Sequence, residues 1–376
     1  MVEIKNKNAL HLLKEMIKEK GKENIDYLTF IKENILFEGD NLIFLTISGS
    51  QLYGMATEES DLDIKGVYLP SKHSLFLNCI REGYDGLSTS MEKNTKNTSN
   101  DVDISLWSLH KFFSLLKIGD SNAYELLFAQ HNGKCTLYAD ENYKKIYNNR
   151  KKLIGTIPLN NGFLKFAYNQ SKKYQYRGYN YQTLKFVLDF FDSLKEKGEY
   201  KPNAKLKNYT KRLLRKYKHS HPELTNNEIR KRLNVSITPK DTFLNINELK
   251  QYAVGMKTKV FLKSIKGWAD TYGNRIQNSE GVDFRSVAHA FKVVKSVDIM
   301  LHNEGDLILP FKDNLAQYLL EIKKGKYSYK DLTLKLNNLI KELEQELSNT
   351  TIIQKYPNEK LLDALILDFY QTKKDK

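Results

Sequence analysis

Cysteine is scarce in this chain, whose 376 residues include only Cys79 and Cys135. Two thiols cannot form the disulfide framework of a small secreted protein, so we expect a reducing, cytoplasmic location. Long apolar runs are also missing, because none approaches the roughly 20 residues that cross a bilayer. The first residues mix charged and polar side chains and lack the apolar segment of a signal peptide. The sequence therefore predicts neither a disulfide-rich protein nor a membrane protein.

Acidic residues are outnumbered, since 60 lysines and arginines accompany 45 aspartates and glutamates and give a formal net charge of +15. An excess of this size attracts polyanions, so we expect a polyanionic partner such as nucleic acid. The alternative is that a lysine-rich and asparagine-rich composition with only 7 prolines reflects an AT-rich genome. Hydrophobic residues make up 40% of the chain, which is ample for a core, and the length favours two domains.

A glycine-serine turn follows the first strongly apolar run. Residues 42–47 predict a strand, and the next residues read Ser48-Gly49-Ser50. Such a turn offers backbone N–H groups and a hydroxyl, which together can bind a phosphate. The alternative is an ordinary turn that binds nothing.

Two aspartates lead into the next predicted strand, which covers residues 63–69 and ends at Pro70. Residues i and i+2 of a strand share a face, so Asp61 and Asp63 are expected to point the same way. Adjacent carboxylates repel each other, and a divalent cation between them removes that cost. Hard oxygen ligands of this kind suit magnesium, which also binds substrate phosphates. The alternative is a pair of aspartates in a solvated turn.

The turn and the two carboxylates together resemble the signature of the DNA polymerase β superfamily of nucleotidyltransferases. The fuller pattern is similar to the string G-S-x-x-Y-G-x-x-x-x-x-S-D-x-D-x-x-G-V of the RNA-repair-pathway DNA polymerase β family. The residues that match this string are Gly49, Ser50, Tyr53, Gly54, Ser60, Asp61, Asp63, Gly66 and Val67. Further matches follow in the family's order at residues 103–112, at residues 125–127 and at residues 283–292.

The resemblance implies a reaction and a metal site. The reaction would transfer a nucleoside monophosphate from an NTP to an acceptor and release pyrophosphate. Two Mg²⁺ ions would be held by Asp61, Asp63 and a third carboxylate on a neighbouring strand, and these three residues would be the catalytic ones. The motif at residues 103–112 favours Asp103 for the third place, and Asp101 is the alternative.

The resemblance also implies a set of nucleotide-binding residues, which are Gly49, Ser50, Tyr53, Arg285, His289 and Lys292. The last three are spaced by four and three residues, so they are expected on one helix face as a cationic wall for the triphosphate. The alternatives are a solvated basic face and, for His289, a core histidine. The family usually has lysine and arginine where this chain has Arg285 and Lys292, and these two side chains are not interchangeable.

A basic segment in the middle of the chain is the best candidate for contact with RNA. No acidic residue occurs from residue 200 to residue 222, whereas the predicted RNA-binding cations lie there: Lys205, Lys207, Lys211, Arg212, Arg215, Lys216 and Lys218. Just before this segment, tyrosines alternate with Lys172, Lys173 and Arg177, at positions Tyr168, Tyr174, Tyr176, Tyr179 and Tyr181. Aromatic rings stack on unpaired bases while cations follow the backbone. The alternative is half-buried tyrosines beside solvated lysines.

The remaining pattern predicts the order of the elements. A third strand is expected at residues 101–106, after a loop-rich insertion at residues 72–100. Helical spacing recurs from the start to the end of the chain, at residues 10–19, 107–117, 124–130, 184–196, 246–266, 286–302, 315–324 and 330–348. We therefore expect an α+β fold, in which a small mixed β-sheet with flanking helices forms a nucleotidyltransferase domain over residues 1–150. A mainly α-helical domain over residues 151–376 would follow, with the basic acceptor-binding segment and a C-terminal helical bundle.

These observations predict a Mg²⁺-dependent nucleotidyltransferase that adds a nucleotide to an RNA end, in RNA repair or tRNA modification. Its partners would be NTP and RNA, either tRNA or broken RNA ends. One alternative is transfer of the nucleotide to a protein or a small molecule. Another is a non-catalytic module that binds nucleotides or RNA, against which the retained carboxylates argue.

Overall fold

The computed structural model describes residues 2–89, 99–225, 228–229, 242–247, 250–253, 255–273 and 282–372. It contains a five-stranded mixed sheet in the order β3-β4-β2-β1-β5. The strands are β1 (Asn41–Ile47), β2 (Leu62–Leu69), β3 (Gly83–Ser88), β4 (Val102–Ser108) and β5 (Thr136–Ala139). Strand β2 runs parallel to β4 and antiparallel to β1, and both edge strands are antiparallel to their neighbours.

Helices accompany this sheet along the first 150 residues. They are α1 (Val2–Lys20), α2 (Tyr27–Asn34), α3 (Gly49–Leu52), α4 (Lys72–Phe76), α5 (Leu109–Ile118), α6 (Ser121–Phe128) and α7 (Glu141–Asn148). The later helices are α8 (Lys165–Glu196), α9 (Lys207–Ser220), α10 (Thr258–Gly273), α11 (Phe284–His302), α12 (Asp313–Lys323), α13 (Tyr329–Asn349) and α14 (Glu359–Thr372). A sheet with flanking helices that is followed by a mainly helical region confirms the predicted α+β fold.

Alternation along the central strands gives the sheet two different faces. Leu62, Ile64 and Ile104 are buried on one face, in a hydrophobic cluster that also contains Leu13 of α1 and Phe30 of α2. Because side chains of a strand point alternately to opposite sides, the residues between them face the other layer. This second face carries the predicted carboxylates.

Helix α6 owes its start to its capping residue. The Asp120 carboxylate accepts hydrogen bonds from the backbone N–H groups of Asn122 and Ala123, at 2.9 and 3.1 Å. Such a cap satisfies N–H groups that have no partner within the helix. The cap starts α6 at Ser121, three residues before the predicted helix at residues 124–130. It thereby brings Asn122 into the helix that packs over the carboxylate face of the sheet.

Two sequence predictions about local structure were wrong. Residues 246–266 were expected to form one helix, but β6 (Thr242–Asn247) and β7 (Lys250–Ala253) form an antiparallel pair, and α10 begins only at Thr258. Residues 72–100 were expected to be loop-rich, but they contain α4 and β3, and β3 supplies one edge of the sheet. In both segments the pairing of one strand with another decided the structure.

The chain divides into two compact units, Met1–Gln170 with Val287–Lys376, and Ser171–Ser286. The C-terminal helices thus belong to the same unit as the sheet. Within this unit the Asp306 carboxylate accepts hydrogen bonds from Arg150 and lies 2.8 Å from His131 Nε2, which links the segment after α11 to the residues before α8. The predicted division into domains at residues 1–150 and 151–376 stays a prediction, because compactness does not identify the segment that carries an activity.

Every helix in the described part of the chain is too short or too polar to span a membrane. Both cysteines have free thiols, with Cys79 exposed and Cys135 buried.

Candidate functional site

Three aspartates form a tight group at one end of the sheet. Carboxylate oxygens of Asp61, Asp63 and Asp103 all lie within 4.8 Å of one another, and the three residues are partly exposed. The parallel pairing of β2 and β4 places Asp63 directly beside Asp103, and Asp61 comes just before β2. Among the residues that the structure describes, no other three histidine, cysteine or acidic side chains lie so close together. Three carboxylates at this spacing can hold a metal ion, and hard cations such as magnesium prefer such oxygen ligands.

Asp101, the alternative to Asp103, is not part of this group. It precedes β4, its side chain is mostly buried, and its Oδ1 accepts a hydrogen bond of 3.2 Å from Thr89 Oγ1. Its backbone carbonyl accepts a hydrogen bond from the N–H of Leu62. The structure therefore brings Asp103 to the other two carboxylates and gives Asp101 a role in joining β2 to the start of β4.

The group is electrostatically unfavourable without a cation. Burial, the Asp61 carboxylate and the Asp103 carboxylate raise the pKa of Asp63 to about 6, although the Lys65 ammonium group opposes this change. A raised pKa means that the folded protein disfavours the ionised form of Asp63. A bound divalent cation would remove that penalty, so the electrostatics fit a metal site.

This shift makes the effect of Mg²⁺ on stability depend on pH. The pKa of Asp63 rises from 3.8 to about 6 on folding, so the folded state binds the proton more tightly and stability falls as pH increases through this interval. At pH 7.5 the carboxylate is ionised and Mg²⁺ should raise the melting temperature by about 2–4 °C. At pH 5 protons compete with the cation, and the increase should be smaller. Thermal melts at both pH values with and without Mg²⁺ test this, and equal increases would contradict it.

A matched comparison uses Asp63→Asn, which cannot titrate at this position. The variant should lose most of the pH dependence of the Mg²⁺ effect. If it keeps the full dependence, another group is responsible.

The Gly49-Ser50 turn lies against Asp63. The N–H of Ser48 donates a hydrogen bond of 2.8 Å to the backbone carbonyl of Asp63. Gly49 has φ +63°, and a Cβ atom at this position would lie only 2.2 Å from Asp63 Oδ2. A residue with a side chain would therefore suffer both backbone strain and a clash with the carboxylate. Ser50 follows within α3 and is partly exposed.

A buried glutamate joins this turn to two lysines. Glu125 of α6 accepts a hydrogen bond of 3.3 Å from the N–H of Gly49, and Lys65 Nζ and Lys292 Nζ each lie 3.4 Å from its carboxylate. Burial alone would raise the pKa of Glu125, but the two lysines and the Gly49 N–H outweigh burial and lower it to about 2. Asn122 Oδ1 adds a hydrogen bond of 2.9 Å from Lys65 Nζ. Glu125 is thus ionised at neutral pH, and it lies beside the group of three aspartates.

Sequence reasoning noted Glu125 only as the start of a Glu-Leu-Leu match and missed Lys65 and Asn122 as site residues. One signal was available for Lys65, because it lies two residues after Asp63 in the same strand and alternation puts both on one face. A signal for Glu125 was its charge in a helix whose neighbours Leu126 and Leu127 are apolar. Neither signal identifies the lysines as its partners, because these contacts join three distant segments.

Tyr53, His289 and Lys292 come together around this glutamate. Lys292 Nζ lies 4.1 Å from the centre of the Tyr53 ring, which also packs edge-on against Phe311 at 4.8 Å. Burial and the Glu125 carboxylate raise the pKa of Tyr53 well above its usual value. Burial and the nearby Lys292 lower the pKa of His289 to about 4. His289 is therefore neutral at pH 7 and adds no charge to the helix face that was expected to be a cationic wall.

Arg285 lies on α11 together with His289 and Lys292, and it is exposed. It belongs to the second compact unit, whereas His289 and Lys292 belong to the first. Its predicted contact with the nucleotide stays a prediction.

Comparison with known proteins agrees with this geometry. The profile of the RNA repair pathway DNA polymerase beta family matches residues 17–269, which include all three aspartates and the Gly49-Ser50 turn. The chain belongs to this family. The resemblance read from the sequence motifs is thereby confirmed. The match ends before residues 283–292, so the basic positions of α11 lie outside it.

A relative of this family member occurs in a virus. The chain is 26% identical over 307 residues to an uncharacterized 38.9 kDa protein in the nrdC-mobD intergenic region of Enterobacteria phage T4. The alignment covers 79% of this chain and 86% of the phage protein. No solved structure matches the chain.

The family match also includes the predicted RNA-binding segment. Helix α9 carries all of the predicted cations except Lys205, which precedes it. Its apolar face buries Tyr209, Leu213 and Tyr217 in the hydrophobic cluster of the second unit. The opposite side is exposed, and Lys207, Lys211 and Arg215 lie there at intervals of four residues. At this spacing they form one row along the helix.

Two of the predicted cations have partners inside the protein. Arg212 forms an ion pair with Glu199, and Lys218 donates a hydrogen bond to the backbone carbonyl of Leu224. The predicted tyrosines from residue 174 to residue 181 lie on α8, but their side chains are outside the described residues. Tyr168 is described and is 39% exposed.

The net positive charge of this family member is concentrated in its second unit. Residues 171–286 hold 25 of the 60 lysines and arginines but only 11 of the 45 aspartates and glutamates. This unit therefore has a formal net charge of +14, and the rest of the chain has +1. A genome-wide bias in composition would affect both units, so it does not account for the uneven distribution of charge.

Proposed function

We propose that this protein transfers a nucleoside monophosphate from an NTP to an RNA end and releases pyrophosphate. The observation that carries the proposal is the group formed by Asp61, Asp63 and Asp103 beside the Gly49-Ser50 turn. Family membership supports a nucleotidyltransferase of the polymerase β type in RNA repair. The acceptor and the metal go beyond that membership and belong to this proposal.

The three aspartates would hold Mg²⁺, most simply as two ions. When bound, the metal would neutralise charge on the attacking and leaving oxygens. In the transfer itself, the acceptor hydroxyl oxygen attacks the α-phosphorus, and the bond between the α-phosphorus and the bridging oxygen breaks. Asp103 would accept the hydroxyl proton, and pyrophosphate would leave with the electron pair of the broken bond. The protein contributes mainly positioning and charge.

The nucleotide would lie against the turn and the helix that carries Lys292. The Gly49 N–H is already bonded to Glu125 and is not available to a phosphate. The Ser50 hydroxyl is therefore the group of this turn that would bind a phosphate. Tyr53 follows this turn, and its buried ring, against which Lys292 lies, would support the nucleotide site. Neutral His289 would donate a hydrogen bond, whereas Arg285 and Lys292 would offset phosphate charge.

The second unit would bind the RNA. Its net charge and the exposed row on α9 support contact with the phosphate backbone. Lys205 and Lys216 extend this surface, and the free thiols are consistent with a cytoplasmic protein. The RNA would be tRNA or an RNA with a broken end.

Incubation with Mg²⁺, each labelled NTP and total RNA tests the proposal. Label in RNA with release of pyrophosphate is the expected result. Label in protein or in a small molecule would replace RNA by another acceptor. Retained NTP or RNA binding without any transfer would leave a non-catalytic module and overturn the proposed reaction.

The exposed row on α9 should determine RNA affinity. Changing Lys207, Lys211 and Arg215 to glutamine should weaken single-stranded RNA binding and reduce the slope of log K against log salt by about 2, because about 0.7 is lost per phosphate contact. NTP binding should hardly change. Filter binding at several salt concentrations measures the slope.

A matched triple variant outside the second unit is Lys330, Lys341 and Lys360 to glutamine, which removes the same charge from exposed positions. It should leave the slope nearly unchanged. If both triple variants behave alike, RNA responds to net charge and not to a surface on α9.

A further inference from the structure

We propose that the Lys65 ammonium group binds the phosphates that leave as pyrophosphate. The proposal rests on the proposed function, and it adds to the nucleotide site a residue outside the set that the sequence motifs implied. It concerns a subsite formed by Lys65 of β2 and Asn122 of α6, next to the three aspartates.

Lys65 lies on the carboxylate face of the sheet. It follows Asp63 by two residues, which places its backbone about 7 Å further along β2 by the rise of a strand. The first four residues of β2 alternate in burial, so that Asp63 and Lys65 are partly exposed while Leu62 and Ile64 are buried. A nucleotide whose α-phosphate meets the aspartates extends its remaining phosphates over several ångströms. Lys65 stands at that distance on the same face.

Two side chains of α6 hold the ammonium group in place. Lys65 Nζ donates to Asn122 Oδ1 at 2.9 Å and to Glu125 Oε1 at 3.4 Å. An ammonium group has three N–H donors. Within the described residues these two acceptors use two donors, so a third can point to a phosphate oxygen. The two contacts also reduce the side-chain freedom that a flexible lysine would lose on binding a ligand.

Lys65 and Lys292 share the Glu125 carboxylate, and Lys65 also acts on the nearby Asp63 carboxylate, whose charge a bound Mg²⁺ would take up. Glu125 carries one negative charge and lies 3.4 Å from both Lys65 Nζ and Lys292 Nζ. The Lys65 side chain is 21% exposed and the Lys292 side chain 13%. Lys65 is thus the more accessible of the two and the one closer in sequence to the aspartates. The shared carboxylate also accepts from the Gly49 N–H, so it ties the lysine to the glycine-serine turn.

Binding of inorganic pyrophosphate tests the proposal without any turnover. Titration calorimetry would compare the wild type with Lys65→Met, once with Mg²⁺ alone and once with pyrophosphate at fixed Mg²⁺. The variant should bind pyrophosphate about 10- to 100-fold more weakly, because a charge-assisted hydrogen bond is lost. It should bind Mg²⁺ alone at least as tightly, because a positive charge has been removed next to the aspartates. General damage to the site would instead weaken the binding of both Mg²⁺ and pyrophosphate.

Two further variants keep the test independent of folding defects. Lys65→Arg preserves the charge and should retain most of the pyrophosphate affinity. Asn122→Ala removes one acceptor that orients Lys65 and should weaken pyrophosphate binding only a few-fold. The control is Lys144→Met on α7, since Lys144 is an exposed lysine that pairs with Glu141, and it should change nothing.

The outcomes separate this proposal from the proposed function. If Lys65→Met binds pyrophosphate as tightly as the wild type, the role of Lys65 is overturned and the proposed reaction stands. If the wild type neither binds pyrophosphate with Mg²⁺ nor transfers a nucleotide, both proposals are overturned. Opposite changes in Mg²⁺ and pyrophosphate affinity would support the subsite.

Discussion

Asp63→Asn is expected to abolish nucleotide transfer and, without metal, to stabilise the fold at neutral pH. The substitution removes a ligand charge that no neighbour can replace. Loss of several kcal/mol of charge stabilisation lowers the rate by a factor of at least about 10³. Stability should rise because Asp63 is held ionised beside two other carboxylates, as its raised pKa of about 6 shows. Repulsion among the carboxylates of the metal site thus lowers the stability of the fold when no cation is bound.

The two effects are measured separately, by labelled nucleotide transfer and by thermal melts in a chelating buffer. Asp61→Asn should lose activity to a similar extent. Asp363→Asn on α14 is the matched control, because it removes the same charge from an exposed position and should leave both readouts unchanged. Near-normal turnover by Asp63→Asn would exclude the three aspartates as the metal site.

The aspartates could be predicted from the sequence because their arrangement depends on local rules. Alternation along one strand puts Asp61 and Asp63 on the same face. A second predicted strand, which also has aspartates at its start, adds Asp103. The parallel register of β2 and β4 could not be read from either strand alone, although the resemblance implied a third carboxylate on a neighbouring strand. The choice between Asp101 and Asp103 required the register itself.

The charge network around Glu125 could not be predicted in the same way. It joins β2, α6 and α11, which are separated by long stretches of sequence. Helical spacing correctly suggested that His289 and Lys292 share a face. It could not show that this face is mostly buried, and burial is what makes His289 neutral and gives Lys292 a carboxylate partner. The residue type at a helix position therefore predicts the charge that its side chain carries in the fold less well than the groups packed around it do.

The failed helix prediction at residues 246–266 has a different cause. Apolar residues at suitable helical spacing occur throughout this segment, but from Leu244, just before it, to Asn247 apolar and polar residues alternate with a period of two. Short apolar runs do not distinguish a strand from a helix by periodicity alone. The antiparallel partner at Lys250–Ala253 decides in favour of strands.

Gly49→Ala should disable the site although it adds a single methyl group. Gly49 and Gly198 share a left-handed backbone, with φ of +63° and +70°. An alanine in this conformation costs about 1–2 kcal/mol at either position. At Gly198 a Cβ meets nothing within 4 Å, whereas at Gly49 it would lie 2.2 Å from Asp63 Oδ2. Backbone strain is therefore common to both variants, and displacement of the Asp63 carboxylate is specific to one.

Both variants should lose melting temperature through the shared backbone strain, with Gly49→Ala losing at least as much as Gly198→Ala because of the added clash, and the two should differ in activity. Displacing a metal ligand by about 1 Å can cost a factor of about 10² in rate, so transfer should fall at least that far in Gly49→Ala and remain near normal in Gly198→Ala. Mg²⁺ affinity should follow the same order, because the moved carboxylate is a ligand. Equal activity of the two variants would show that Asp63 can move away from the new methyl group without loss. In that case the close contact of the turn with the carboxylate would have no part in the chemistry.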